Sequence, residues 1–142
     1  MKTMFGQIVA LIVLALVPAL AALRWHPEFA AALAPDFSPA NEVELRSVEK
    51  WTPPPLWVDA RSTAAFARAH IPGALPLDEQ KWDEQLPTLL QRWQPGMRIV
   101  VYCDGAKCDL AHHAARRLRQ QVGLPEVYVL RGGWETWTKA HP

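Results

Sequence analysis

Cysteine is nearly absent from this chain: its 142 residues include two, Cys103 and Cys108. That excludes a disulfide scaffold, which needs several bridges to stand in for a hydrophobic core. Their C-x4-C spacing matches neither a zinc knuckle nor a thioredoxin-like C-x2-C site. His112 lies about one helical turn past Cys108, so Cys103, Cys108 and His112 make three candidate ligands. No carboxylate or second cysteine pair is placed to complete such a site, and no metal is expected. An excess of one charge is also missing. The formal net charge is +1, with acids and bases mixed along the chain. A large nucleic-acid face needs a basic surplus, so none is expected. Arg116, Arg117 and Arg119 form a small basic cluster, expected to be the solvated face of a helix. No internal repeat is visible, and the length suits one ordinary domain.

One long hydrophobic run is present. From Met4 to Leu23 there is no charged residue. As a helix rising about 1.5 Å per residue, such a run reaches about 30 Å, the thickness of a bilayer core. Two readings stay open for residues 1–23. One is an uncleaved single-pass anchor, in which Pro18 kinks or shortens the far end. The other is a signal peptide with Lys2 at its start and Ala19-Leu20-Ala21 as its cleavage site, giving a secreted protein. The anchor is favoured, because the apolar run continues past Ala21 to Leu23. A short N-terminal tail held inside puts the rest of the chain outside the cytoplasm, on the periplasmic side if the source is bacterial. Residues 24–41 read as a Pro/Ala-rich tether broken by Pro27, Pro35 and Pro39. Residues 42–142 read as the folded domain.

Within that domain, short apolar runs alternate with helical patterns. Leu56-Trp57-Val58, ending at Asp59, Ile99-Val100-Val101-Tyr102 and Val127-Tyr128-Val129-Leu130 fit strands buried on both faces. Helices are expected at Ser62–Ala69 with Ser62 as N-cap, at Asp83–Trp93, at Leu110–Val122 and at Gly133–Ala140. In the third, Leu110, Ala114, Leu118 and Val122 form one apolar stripe beside Ala111 and Ala115. His112, Arg116 and Arg119 then face away from it. The alternation predicts an α/β fold, a mostly parallel sheet with helices on both faces. Ligand sites in such sheets lie at the carboxyl ends of the strands, which is where Cys103 falls.

The segment Cys103-Asp104-Gly105-Ala106-Lys107-Cys108 can favour a thiolate. A free cysteine titrates at about 8.5, and a following helix N-terminus and a nearby cation both lower that value. Lys107 supplies the cation. Gly105 and Ala106 are small enough for the backbone to curl its N–H groups inward as an anion nest. Asp104 and Asp109 are expected to point outward.

Several separated pieces, in order, resemble the rhodanese family of sulfurtransferases over about residues 42–140. They are Val58-Asp59-Ala60-Arg61, His70-Ile71-Pro72-Gly73-Ala74 followed by Leu75-Pro76-Leu77, the strand leading into Cys103, and Leu130-Arg131-Gly132-Gly133-Trp134 with Trp137. The resemblance implies a rhodanese-like parallel sheet, preceded here by one transmembrane helix. It implies Cys103 as the catalytic nucleophile and residues 104–108 as the substrate-binding loop. Asp59, Arg61, His70, Gly73, Gly132 and Gly133 become structural motif residues, and Trp134 and Trp137 core residues. Asp59 and Arg61 are expected to tie strand ends and loops together.

The implied activity takes sulfane sulfur from a small anionic donor such as thiosulfate. Cys103 carries it as a persulfide and passes it to a thiol or cyanide-like acceptor, with no cofactor. The sequence departs from the family at the loop. The commonest version ends in Arg, and a Ser opens the helix. Here Cys108 is the fifth residue after Cys103, and Ala111 takes the Ser position in a longer loop. With no Arg to clamp a phosphate in two-point fashion, a phosphatase is not expected. Cys108 opens a second chemistry as a resolving thiol, which makes the protein a thiol–disulfide or sulfide-handling one. A non-catalytic rhodanese-like binding module is the third alternative.

Overall fold

The computed structural model describes residues 41–105 and 109–142. The anchor or signal segment, nearly all of the tether, and Ala106, Lys107 and Cys108 lie outside them. Among the described residues no helix is long and apolar enough to cross a membrane.

The elements run β1 Glu42–Val43, α1 Leu45–Val48, β2 Leu56–Asp59, α2 Thr63–Arg68, β3 Leu75–Pro76, α3 Trp82–Arg92, β4 Ile99–Tyr102, α4 Asp109–Gln120, β5 Val127–Leu130 and α5 Gly133–Ala140. The strands form one five-stranded sheet in the order β1-β5-β4-β2-β3. All its pairings are parallel. The expected strands and helices fall within a few residues of these bounds. Ser62 does cap α2, accepting a hydrogen bond from the Ala65 N–H at 3.3 Å.

Alternation along the strands sorts the core into two layers. Leu56, Val58, Ile99, Val101, Val127 and Val129 pack on one face with Trp82 and Leu89 of α3 and Ala111, Ala114, Ala115 and Leu118 of α4. On the other face Val100, Tyr102 and Leu130 pack with Leu45 and Val48 of α1. Phe66 of α2 and Trp134 and Trp137 of α5 complete that layer. The two tryptophans are partly buried at its rim. Central β4 is buried along its whole length, which is why its sequence is a continuous apolar run.

The structure corrects the expected face of α4. Leu110 is 43 % exposed, whereas His112 is buried. The apolar stripe is therefore Ala111, Ala114, Ala115 and Leu118, rotated away from Leu110. The rotation follows from small side chains: alanines let the helix lie close to the sheet, and the edge of that close contact takes in His112. The arginine cluster is not a solvated face either, since all three residues are partly buried. The Arg117 guanidinium lies 3.9 Å from the Trp82 ring centroid, and Arg119 donates to the Val127 carbonyl oxygen at 2.6 Å. Among the described residues the helix already includes Asp109, ahead of Ala111, the position that the motif gives to the helix opening.

Candidate active site around Cys103

Cys103 directly follows β4, at the carboxyl end of the middle strand. It is 2 % exposed and points into the α4 layer with Val101. Its sulfur is in a disulfide, and lies 4.0 Å from the Gly105 carbonyl oxygen. The chain's other cysteine, Cys108, lies outside the described residues, as do Ala106 and Lys107. The proposed cradle over residues 104–108 is thus described at Asp104 and Gly105 alone. Asp104 points outward, with 75 % of its side chain exposed, and Asp109 is exposed too.

The backbone that presents Cys103 is held by the start of α5. The Trp134 N–H donates to the Cys103 carbonyl oxygen at 2.6 Å, and the Glu135 N–H to that of Asp104 at 3.0 Å. This approach requires glycine. Gly132 has φ +73° and Gly133 has φ +52°. A Cβ on Gly133 would collide with the Cys103 carbonyl oxygen. The Gly-Gly pair therefore lets the last helix dock on the cysteine's own peptide.

On the β2 side, Asp59 and Arg61 are both buried. Arg61 Nε donates to Asp59 Oδ1 at 2.9 Å, and its Nη2 donates to Asp59 Oδ2 at 2.6 Å. Nη2 also donates to the Ala69 carbonyl oxygen at 2.7 Å, at the end of α2. The guanidinium sits 4.5 Å from the Trp134 ring centroid and 5.6 Å from that of Tyr102, and Nη1 lies 3.6 Å from Asp104 Oδ1. Burial opposes the charge of Arg61, but hydrogen bonding and attraction to Asp59 outweigh it and raise its pKa. Tyr102 accepts from the Ile71 N–H at 3.1 Å, which docks the His70-Ile71-Pro72-Gly73-Ala74 turn onto β4. Burial pushes the Tyr102 phenol well above its ordinary range. Gly73 completes that turn with φ +79°. His70 is exposed, stacked on Phe66 at 3.9 Å between centroids.

On the β5 side lies a small cavity of about 110 Å³, lined among others by Cys103, Gly105, Ala111, His112, Glu42 and Arg131. His112 Nε2 is 3.3 Å from Glu42 Oε1, and Arg131 Nε donates to Glu42 Oε2 at 3.1 Å. The sequence points to neither Glu42 nor Arg131 as part of this site, and to His112 solely as a possible metal ligand. Glu42 reaches the cavity because β1 pairs with β5, opposite Val129. That pairing joins chain segments almost ninety residues apart, and no local pattern announces it. Among the described residues no group of three His, Cys, Asp or Glu side chains is arranged to hold a metal ion.

A buried cysteine at the carboxyl edge of a five-stranded parallel sheet, with helices on both faces, defines the class: an α/β domain with a cysteine at the end of its central strand. A model of the rhodanese-like domain matches residues 42–140, and the chain belongs to that family. A solved protein of Bacillus halodurans superposes with a TM-score of 0.59 at 25 % identity, covering 87 % of this chain and 82 % of that one. Thiosulfate sulfurtransferase of Pseudomonas aeruginosa superposes with a TM-score of 0.55 at 27 % identity, covering 70 % of this chain and 18 % of that one. Among curated proteins, tRNA uridine(34) hydroxylase of Sodalis glossinidius (strain morsitans) is 29 % identical over 70 % of this chain. The chain spans 29 % of that relative's length.

Proposed function

We propose that this protein is a sulfurtransferase that carries sulfane sulfur as a persulfide on Cys103. The observation that carries the reading is the buried Cys103 at the end of the central strand, with a small cavity beside it. The likeness to a thiosulfate sulfurtransferase supports the donor class. Reduced Cys103 attacks the outer sulfur of thiosulfate. A Cys103 S–S bond forms, the S–S bond of thiosulfate breaks, and its electron pair leaves with sulfite. Cyanide or a thiolate then takes the outer sulfur, and the thiolate of Cys103 returns. An anchor over residues 1–23 ties this chemistry to a membrane, with the domain on the extracytoplasmic side.

The full chain, reduced and then incubated with thiosulfate, is expected to gain one sulfur in mass on Cys103 and to form thiocyanate when cyanide is added. Cys103→Ser is expected to lose both signals. Absence of sulfur uptake by the reduced wild type, from thiosulfate or an organic persulfide, would leave a non-catalytic binding module. Retention in the membrane fraction after alkaline carbonate washing tests the anchor. Release overturns it in favour of cleavage.

The disulfide at Cys103 favours a second outcome for the persulfide. The Cys108 thiol attacks the inner sulfur of the Cys103 persulfide anion. The outer sulfur leaves as hydrosulfide with the proton; it is reduced, the Cys108 sulfur is oxidised, and a Cys103–Cys108 disulfide remains. This reading predicts hydrosulfide release without cyanide, and its loss in Cys108→Ser while sulfur loading of Cys103 continues.

A further inference from the structure

The cavity beside Cys103 holds an imidazole that plain sulfur transfer does not use. His112 is a buried polar residue on the alanine-rich side of α4, where another alanine would pack with no polar atom to satisfy. It sits against a carboxylate brought from the far edge of the sheet. Glu42 in turn uses its second oxygen on Arg131, whose Nη1 pairs with Glu44 Oε1 at 3.0 Å.

We propose that His112, clamped by Glu42, sets the ionisation of Cys103: one proton moves from the Cys103 sulfur to the imidazole, giving a thiolate beside an imidazolium. Three observations carry this. Cys103, His112 and Glu42 line one small cavity, which brings their charges to one side of the sheet end. Charge balance depends on the imidazole. With His112 protonated, the carboxylates of Glu42 and Glu44 are matched by His112 and Arg131. With His112 neutral, these described groups are left one negative charge in excess, which opposes a thiolate. Exposure separates the groups as well: Glu44 and Arg131 are more than half exposed and screened by solvent, while the His112 side chain is 11 % exposed.

Among the described residues, the charged and titratable groups facing this cavity are Glu42 from β1, Cys103 after β4, Arg131 after β5 and His112 from α4. Glu44 stands behind Arg131. On α4 itself, His113 turns the other way to Glu79 at 2.9 Å, and Asp109 is exposed. His112 is thus a positioning residue acting through Cys103, and Glu42 one acting through His112.

The proposal rests on Cys103 being the nucleophile, but its test needs no sulfur donor. The reduced full chain is alkylated with iodoacetamide across pH 5 to 10. Trypsin then separates the peptide of residues 99–107, with Cys103, from that of residues 108–116, with Cys108. In wild type the midpoint for Cys103 is expected below the ordinary value of about 8.5. In His112→Gln it rises by about one unit, so that alkylation at pH 6 falls about tenfold. Glu42→Gln keeps the imidazole and gives the second arm. Without its carboxylate the imidazolium is weakened, and the midpoint rises there too. Acting directly on the thiol, loss of the same negative charge would lower the midpoint. A lower or unchanged midpoint in Glu42→Gln overturns the proposal, even where His112→Gln fails to fold. An unchanged midpoint in a folded His112→Gln does the same and leaves a structural histidine. If the midpoints shift as expected while no donor loads sulfur, the sulfurtransferase reading fails and this one stands.

Discussion

Cys103 stands between two charged clusters that are built on opposite principles. Toward β2, Arg61 is 5 % exposed and Asp59 is fully buried, and the guanidinium's hydrogen bonds reach the carboxylate and the Ala69 carbonyl oxygen. Its face lies against Tyr102 and Trp134 in the layer of α1, α2 and α5. Toward β5 the same motif of carboxylate and cation recurs in a wetter setting. There Glu42 divides its oxygens between His112 and Arg131, and Arg131 is about half exposed. One cluster holds a fixed charge out of water and ties four segments together. The other borders the cavity and contains an imidazole. The difference teaches how burial is divided around Cys103: the buried arginine fixes the loop, and the second cluster faces the cavity and solvent.

The largest test of that division is Asp59→Ala. It leaves Arg61 buried without its carboxylate, which is expected to cost about 3–5 kcal/mol. Urea denaturation reads this directly. Glu42→Ala is expected to cost far less, because Arg131 can turn to solvent and to Glu44. Equal losses in the two variants would erase the contrast.

Gly133→Ala follows in size. Its positive φ and the contact with the Cys103 carbonyl oxygen set two penalties at once. The backbone conformation alone accounts for about 1–3 kcal/mol, and the collision adds to it. Because α5 carries Trp134, which covers Arg61, this change is expected to loosen the β2 cluster and leave the Glu42–His112 contact in place. Denaturation gives the first effect. A changed Trp fluorescence gives the second.

How far the sequence foretells these clusters differs by side. The strands beside Cys103 are legible because burial on both faces makes them continuous apolar runs, Ile99–Tyr102 above all. The motif marks Asp59 and Arg61, which lie two residues apart at one strand end, but not the packing of Arg61 against both Tyr102 and Trp134, which needs α5 folded back over β4. On the other side, β1 is two residues long and α1 four, so neither has a periodicity to read. Their order comes from docking on β5. The stripe through Leu110 misplaces His112 by one helix position for the same reason. A helical pattern rich in alanine leaves its facing angle open, and the packed sheet decides it.

Tyr102→Phe probes the buried side by pH. At neutral pH it deprives the buried Ile71 N–H of its acceptor, expected to cost about 1–2 kcal/mol. The folded phenol titrates above its unfolded value of about 10, so the folded state keeps its proton where the unfolded chain loses it. That contribution is complete below pH 10 and is lost as pH rises toward the folded value. The phenylalanine variant has no such loss. The stability gap between wild type and variant is therefore expected to narrow above about pH 10, and a constant gap would mean that Tyr102 ionises as an exposed phenol does.

The smallest effect belongs to Arg131→Ala, on the wetter side. Its guanidinium bridges Glu42 and Glu44 at 3.1 and 3.0 Å, yet it is 52 % exposed, and solvent screens both pairs. Exposed pairs of this kind contribute about 0–1 kcal/mol. The loss is expected to lie within that range and to shrink as salt rises toward 1 M, where the screening length falls to about 3 Å. The Asp59→Ala loss is expected to stay nearly constant over the same salt range, since no ions enter the space between Asp59 and Arg61. Salt thus separates the two clusters by mechanism as well as by size. A salt-independent loss above about 2 kcal/mol in Arg131→Ala would mean that the β5 side is as dry as the β2 side, and the division between a dry and a solvated flank would fail there.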